Sequence, residues 1–294
     1  MYKDFVTSNP NEIYVNSSGI DRCLDSASSN LASFYSPDER WKLEDDLKWQ
    51  PIPIHYLPVD IDIYFNNLRS CPRAFSEFLK QINSKEVQDL YQTHQTLVEV
   101  VTKESGMNYT LEDNPFELFD TLEIEKKYNL TIPKWADIYW NEMSYIASVN
   151  FQAYYSSHTQ LRMRAGPFLG LLSNNLMNKI NGKTPDLKVV MSSSHDILLA
   201  TVLRALNFTN MPQPPYCATM LFELHKMAEG AMTVRLLYLN STDPLSDMGK
   251  PHVLTLDNCS EFCPVEYFIN SFQSLIPNNW EEECQLNASD IDEN

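Results

Sequence analysis

The sequence has few basic residues and no long apolar run. Its 22 lysines and arginines stand against 39 aspartates and glutamates, which gives a formal net charge of −17. A surface of this sign repels nucleic acid and anionic lipid, so neither is an expected partner. A membrane-crossing helix needs about 20 mostly apolar residues in a row. No such run is present, so no membrane span is expected.

The first residues lack the basic-then-apolar pattern of a secretory signal peptide. The rest of the chain nevertheless carries two features of exported proteins, six cysteines and a set of Asn-x-Ser/Thr sequons. The sequons begin at Asn16, Asn108, Asn129, Asn207, Asn240, Asn258 and Asn287. We therefore expect a secreted or lysosomal protein, and the missing signal predicts that its natural N-terminus lies upstream of Met1.

Two motifs that would indicate specific chemistry are also missing. Without Gly-x-Ser-x-Gly, a serine nucleophile elbow is not indicated, and without His-Glu-x-x-His, a metalloprotease-like zinc site is not indicated. The pair Cys259 and Cys263 has poor spacing for zinc, and a small disulfide loop is the better interpretation. The sequence gives no reason to expect a metal or a cofactor.

The length and composition predict a large α/β protein. A chain of 294 residues with 43% hydrophobic and 12% aromatic residues can form one large domain or two unequal ones. A long stretch with apolar residues at helical spacing separates two segments that alternate strand and helix patterns. We predict a mostly parallel sheet flanked by helices, formed by residues 1–71 and 186–294, with a helical lid inserted at residues 72–185.

Local patterns predict several elements. A strand is expected at residues 12–15, helices at 19–34 and 87–105, and a hairpin of strands 219–225 and 231–239 around Glu229-Gly230. The prolines at both ends of residues 51–58 exclude a regular helix or a central strand, so an extended connection is expected there.

The segment Lys188-Val-Val-Met-Ser-Ser-Ser-His-Asp196 combines a short apolar run, small polar residues and a His-Asp pair, and a helical pattern follows. Parallel strands deliver catalytic groups to the carboxyl edge of a sheet in this way. The pair suits three classes of chemistry: Ser-His-Asp hydrolysis with one of Ser192 to Ser194, a metal site, and phosphoryl transfer. In phosphoryl transfer His195 would contact phosphate and Asp196 would act as general acid.

Several motifs, in the same order along the chain, resemble those of the histidine acid phosphatases, in the animal branch with prostatic, lysosomal and venom enzymes. They are Val15-Asn-Ser-Ser-Gly-Ile-Asp-Arg-Cys-Leu-Asp-Ser-Ala27, Trp49-Gln-Pro-Ile-Pro-Ile-His55, Cys71-Pro-Arg73, Leu130-Thr-Ile-Pro-Lys-Trp-Ala136, Met191-Ser-Ser-Ser-His-Asp196, Cys259-Ser-Glu-Phe-Cys-Pro264 and Trp280-Glu-Glu-Glu-Cys284. The resemblance covers nearly all of the chain.

This resemblance implies a phosphoglycerate-mutase-like fold and hydrolysis of phosphomonoesters through a phosphohistidine. The substrate would be a small phosphomonoester or a phosphoprotein, and family members are often homodimers. The nucleophile is the histidine of an N-terminal Arg-His-Gly motif, and arginines hold the phosphate oxygens. Carried over, His195 becomes a phosphate contact and Asp196 the general acid. The resemblance also implies the disulfides Cys71–Cys284 and Cys259–Cys263, and leaves the pairing of Cys23 and Cys217 open.

The chain departs from the family pattern at three places. It contains no Arg-His-Gly motif, and the family's first strand and nucleophile loop would lie upstream of Met1. Asn16 stands where the family has a phosphate-binding arginine, and an amide cannot supply a bidentate cation. Arg22, later in that element, is interpreted as a structural ion-pair residue. Ile124 stands where the family has the usual partner of Cys217.

Two hypotheses follow. In the first, the chain represents the family enzyme, and the 294 residues given are inactive because the nucleophile is not among them. In the second, the chain is a catalytically dead secreted paralogue that acts as a binding protein or venom component.

Overall fold

The computed structural model describes residue 2 and residues 5–67, 70–110, 115–209, 211–242 and 250–286. The chain divides into two compact units. The first contains Met1–Cys71 and Arg162–Glu283, and the second contains Pro72–Leu161 and Cys284–Asn294. None of the helices in these described ranges is long and apolar enough to cross a membrane.

A parallel sheet organises the first unit. Its strands are β1 (Ile13–Ser18), β2 (Ile54–Leu57) and β3 (Val189–Ser193), in the order β2-β1-β3. Both pairings are parallel, and the β1–β3 register joins Asn16 to Ser192 and Ser17 to Ser193. Parallel neighbours need crossover connections, which helices supply here. The predicted α/β class with a parallel sheet flanked by helices is confirmed.

The helix α1 (Asp21–Phe34) follows β1 and covers the sheet. Cys23, Ala27 and Leu31 recur every four residues, so they share one face, and all three are buried. Ala27 and Leu31 pack with Val15 of β1 in one apolar cluster. The helix begins two residues later than predicted because Ile20 is in an extended conformation.

The proline-flanked segment forms the edge strand β2. It pairs with β1 through Val15↔Ile54 and Ser18↔Leu57. An edge strand needs only one ladder of hydrogen bonds, so the prolines that flank it are tolerated. The predicted extended connection is therefore a short strand.

An antiparallel sheet completes the strands of the first unit. The predicted hairpin is present as β4 (Thr219–Lys226) and β5 (Met232–Leu239), and Gly230 in their connection has φ 86°. The strands β6 (His252–Leu254) and β7 (Cys263–Pro264) also pair with β5. A disulfide joins Cys259 to Cys263 just before β7.

The second unit is helical. It contains α2 (Pro72–Ile82), α3 (Lys85–Thr93), α4 (Gln95–Ser105), α5 (Pro115–Lys127), α6 (Lys134–Ile138) and α7 (Trp140–Gln152). The single helix predicted at residues 87–105 is wrong. It is interrupted at His94, whose backbone leaves the helical region and whose Nδ1 lies 2.8 Å from Glu142 Oε2.

The remaining helices are α8 (His158–Arg164), α9 (Gly166–Ile180), α10 (Asp196–Ala205), α11 (Val265–Phe272) and α12 (Trp280–Glu283). The Arg162 guanidinium donates to both carboxylate oxygens of Glu283, at 2.6 and 2.9 Å, which fixes the end of α8 to α12. Cys71 and Cys284 are disulfide-bonded, whereas Cys23 and Cys217 are free thiols. Two disulfides agree with the disulfide content that the sequence predicts.

The first unit resumes at Arg162, earlier than residue 186, where the lid was predicted to end. The physical reason is the position of α9, which approaches the segment after α11 very closely. A Cβ on Gly166 would lie 2.1 Å from the Leu275 carbonyl oxygen and 2.8 Å from Pro277 Cδ. The helix α9 thus packs within the first unit.

We expect Gly166→Ala to lower the free energy of unfolding by about 1–3 kcal/mol, because backbone must move to admit the methyl group. Urea unfolding followed by circular dichroism measures the change. The matched control is Gly170→Ala on the same helix. A Cβ there would meet only the flexible side chain of Ile276, at 3.3 Å. Equal stability of the two variants would contradict this close packing.

Candidate active site

His195 and Asp196 lie where β3 passes into α10. His195 is extended, with φ −114° and ψ 154°, and Asp196 is the first residue of the helix. The neighbouring strand β1 ends at Ser18. Because β1 and β3 run in parallel, their carboxyl ends lie at the same edge of the sheet. The His-Asp pair therefore sits beside the loop that connects β1 to α1.

Ser18 at the end of β1 and Arg22 of α1 contact the two nitrogens of the His195 ring. Its Nε2 lies 3.0 Å from the hydroxyl oxygen of Ser18, and its Nδ1 lies 3.5 Å from Nη2 of Arg22. A guanidinium has only donors, so Nδ1 is the acceptor and Nε2–H donates to the Ser18 hydroxyl. The contacts thus select one neutral tautomer of the ring.

This environment disfavours the charged form of His195. Burial, and then the positive charge of Arg22, lower the pKa of His195 to about 4. The imidazole is therefore neutral at mildly acidic pH, and Arg22 carries the positive charge at this point of the site.

Cys23 packs against the His195 ring, a contact that the sequence did not predict. Its Sγ lies 3.5 Å from the Ser194 carbonyl oxygen and 3.9 Å from each ring nitrogen of His195. Burial raises the pKa of the Cys23 thiol, so the sulfur stays protonated and is a poor nucleophile. The signal that could have indicated Cys23 and Ser18 is their position in the same motif as Arg22.

Ser193 and Ser194, the two residues before His195, form hydrogen bonds to the backbone of other segments. Ser193 Oγ donates to the Cys23 carbonyl oxygen at 2.8 Å, and Ser194 Oγ donates to the Phe65 carbonyl oxygen at 3.1 Å. Phe65 in turn belongs to a turn whose backbone N–H groups bind the buried carboxylate of Asp62. These hydroxyls are bound to backbone oxygens, which does not support a Ser-His-Asp triad.

The Asp196 carboxyl is half-buried at the same edge. One oxygen accepts a hydrogen bond from the backbone N–H of Ile197 at 2.8 Å, and the other accepts from the Gln213 amide at 3.4 Å. The arrangement places a carboxyl group directly after His195, at the edge where a ligand of a parallel sheet binds.

Asn16 and Arg22 differ in how close they lie to the His-Asp pair. Asn16 is half-buried in the middle strand, and within the described residues no hydrogen bond joins its side chain to His195 or Asp196. Arg22 was interpreted as an ion-pair residue, but across the described part of the chain it forms no ion pair. Arg22 contacts the His195 ring instead.

Metal ligands are not grouped here. Across the ranges that the structure describes, no three His, Cys, Asp or Glu side chains are placed to hold a metal ion. The site therefore consists of a neutral imidazole, a carboxyl group, a hydroxyl and a guanidinium. Such a set can contact an anion and exchange a proton with it.

Comparison with known sequences identifies similar proteins. Residues 1–239 match the histidine phosphatase superfamily (branch 2). Lysosomal acid phosphatase of Xenopus laevis is 29% identical over 98% of this chain and 67% of its own length. The rat lysosomal acid phosphatase is 32% identical over 95% of this chain and 66% of its own length. Bovine prostatic acid phosphatase is 30% identical over 94% of this chain and 71% of its own length. The chain spans about two thirds of the length of the lysosomal relatives.

A solved structure supports the fold. A phytase from Klebsiella sp ASR1 superposes with a TM-score of 0.64, covering 96% of this chain and 79% of the phytase, at 13% sequence identity. At this level of identity the likeness concerns the fold alone.

We expect a pH-dependent loss of stability that comes from His195. An unfolded histidine binds a proton near pH 6.5, whereas the folded His195 does so only near pH 4. The unfolded state therefore binds more protons between these values, and folding stability falls as the pH drops from about 6.5 to about 4. His195→Asn should lose less stability than the wild type over this window.

Urea unfolding at a series of pH values measures this difference. His252→Asn is the control, because His252 is exposed and its hydrogen bond within the described residues is to Asn240. If His195→Asn and wild type lose stability in parallel, the neutral buried imidazole is contradicted.

Proposed function

Because the chain belongs to the histidine phosphatase superfamily (branch 2), we propose that the edge formed by Ser18, His195 and Asp196 is a phosphomonoester site of the acid phosphatase type. The observation that carries the proposal is the His195-Asp196 pair at the strand-to-helix junction, with the ring fixed by Ser18. In this proposal a phosphate oxygen accepts the Nε2–H of His195 in place of the Ser18 hydroxyl. Asp196 is the general acid, which suits work at acid pH.

The proposed reaction has two steps. A nucleophilic histidine attacks phosphorus, the bond from phosphorus to the alcohol oxygen breaks, and Asp196 gives its proton to that oxygen. Water then attacks the phosphorus of the phosphohistidine, the bond from phosphorus to the histidine nitrogen breaks, and the Asp196 carboxylate takes a proton from the water. Inorganic phosphate leaves and the histidine is free again. The residues of this chain hold the phosphate and move the proton.

We propose that the 294-residue chain does not complete this cycle alone. It has no Arg-His-Gly motif. The other histidines are engaged elsewhere or exposed: His55 stacks on Tyr14, His94 contacts Glu142, His225 contacts Glu223, His252 contacts Asn240, and His158 is exposed. These contacts support the absence of a nucleophile within the 294 residues.

A second candidate function is a binding protein that no longer turns over phosphate esters. It is favoured by the same observation, since a phosphate contact and an acid are retained without a nucleophile. The chain would then act outside the cytosol as a catalytically inactive secreted protein or venom component.

Export also belongs to this proposal. The two disulfides, the sequons and the lysosomal and prostatic names of the relatives support a secreted or lysosomal location. A homodimer remains a prediction from the family resemblance.

We expect the 294-residue polypeptide to bind inorganic phosphate and p-nitrophenyl phosphate at His195 without hydrolysing the ester. We expect no p-nitrophenol release above background and no phosphohistidine when the protein is trapped without acid. We also expect a shift of the His195 ring signal in NMR titrations with phosphate. The reason is that His195 is the proposed phosphate contact, whereas the 294 residues contain no Arg-His-Gly motif.

His252→Asn is again the control, and it should leave the phosphate-induced shift unchanged. Turnover well above background would refute the inactivity of this polypeptide. If phosphate leaves the His195 signal unmoved, the phosphate site itself is refuted.

We expect expression in a eukaryotic secretory host to give a glycan at Asn129 but none at Asn16. Asn129, Leu130 and Thr131 are all exposed, and Asn129 adopts φ 56° in a turn. Asn16 lies in the middle strand, and Ser18 of its sequon is 0% exposed. Peptide mass spectrometry after enzymatic deglycosylation in heavy-oxygen water compares the two sites. A fully occupied Asn16 in folded protein would contradict the central position of β1.

A further inference from the structure

Arg22 differs from the arginines of this acidic protein that pair with carboxylates. Arg162 is paired with Glu283, and Arg235 with Glu223 and Glu261. Arg22 is exposed, and within the described residues it contacts no carboxylate. With 39 acidic and 22 basic residues in the chain, carboxylates are abundant partners for an exposed cation. Arg22 instead lies against a neutral imidazole.

Arg22 lies at the start of α1, and its positive charge is therefore beside the candidate site. It is the second residue of α1, directly after the loop that carries Ser18. One Nη lies 3.5 Å from His195 Nδ1, and the other N–H groups of a guanidinium remain available because the residue is exposed.

Two other described residues near this edge do not offer an accessible positive charge. Asn16 is uncharged. Arg164 is 2% exposed and lines a small cleft with Phe65, Asn67, Ile197, Leu198 and Thr201, so its charge is buried inside the first unit. Among the residues that the structure describes, Arg22 is thus the accessible cation that touches the His-Asp edge.

We propose that Arg22 is the anion-binding residue of this site, which holds an oxygen of a phosphate group beside His195. It would supply the cation that the family resemblance places at the position of Asn16. The inference rests on the proposed phosphomonoester site and names a residue that binds its substrate. The ligand class is a tetrahedral oxyanion, inorganic phosphate or the phosphate group of a monoester, because a planar guanidinium can donate two parallel hydrogen bonds to its oxygens.

The test is phosphate binding to the full 294-residue chain, measured by isothermal titration calorimetry and by the His195 NMR signal. We expect Arg22→Gln to weaken inorganic phosphate binding by about 10- to 100-fold, the usual cost of losing a charge-assisted hydrogen bond. Arg22→Lys keeps the charge but not the bidentate geometry, so it should recover part of the affinity.

The matched control is Arg40→Gln. It removes one positive charge from an exposed arginine of the first unit that stacks over Trp41. Arg40→Gln should bind phosphate like the wild type, and the melting temperatures of all variants should agree. Affinity lost in Arg22→Gln and partly regained in Arg22→Lys supports the assignment.

Three outcomes overturn it, and they are distinguishable. If the wild type binds phosphate and Arg22→Gln binds equally well, Arg22 is not the anion-binding residue, while the phosphate site stands. If the wild type itself does not bind phosphate, both the site and the role of Arg22 fail. Equal losses in Arg22→Gln and Arg40→Gln would show a general charge effect and also overturn the assignment.

Discussion

The parallel pairing of β1 with β3 determines where every group of the candidate site lies. Lys188 begins the ladder by donating its backbone N–H to the Glu12 carbonyl oxygen at 2.7 Å, and its ammonium pairs with the Glu12 carboxylate at 3.0 Å. The register that follows sets Ser17 opposite Ser193. A slip of one residue would turn each side chain to the opposite face of the sheet and separate Ser18 from His195. The close contacts among Cys23, Ser193 and Ser194 then lock this register at the carboxyl edge.

The electrostatics of the site depend on keeping one ring neutral. His195 contacts Ser18, Cys23 and Arg22, and a protonated imidazole beside the guanidinium would be repelled by its positive charge. The neutral ring leaves Arg22 as the cation at this edge of a protein with net charge −17. An approaching anion is repelled at long range by the acidic surface, so the attraction that binds it must come from close contacts.

The sequence predicted those parts of the structure that depend on local pattern. The strand that leads to His195, the helix after it and the hairpin around Gly230 follow from apolar periodicity and turn chemistry. The break at His94 was missed because nothing in the apolar spacing of residues 87–105 indicates it. The position of α9 was missed because it depends on a contact between Gly166 and the distant Leu275 backbone. The contact between Arg22 and His195 was not predicted because the sequence does not show whether a carboxylate reaches Arg22.

The distance along the chain between the two halves of the site has a consequence for biosynthesis. Ser18 and His195 are 177 residues apart. At about 5–20 residues per second, a ribosome needs about 9–35 s to add that much chain. The helical segment between them contains mostly local contacts, so it can fold while β3 is still unmade. During this time β1 has only β2 as a strand partner, and its other edge must be kept from non-native partners. In a nascent chain, the candidate site is therefore assembled late, after most of the helices already exist.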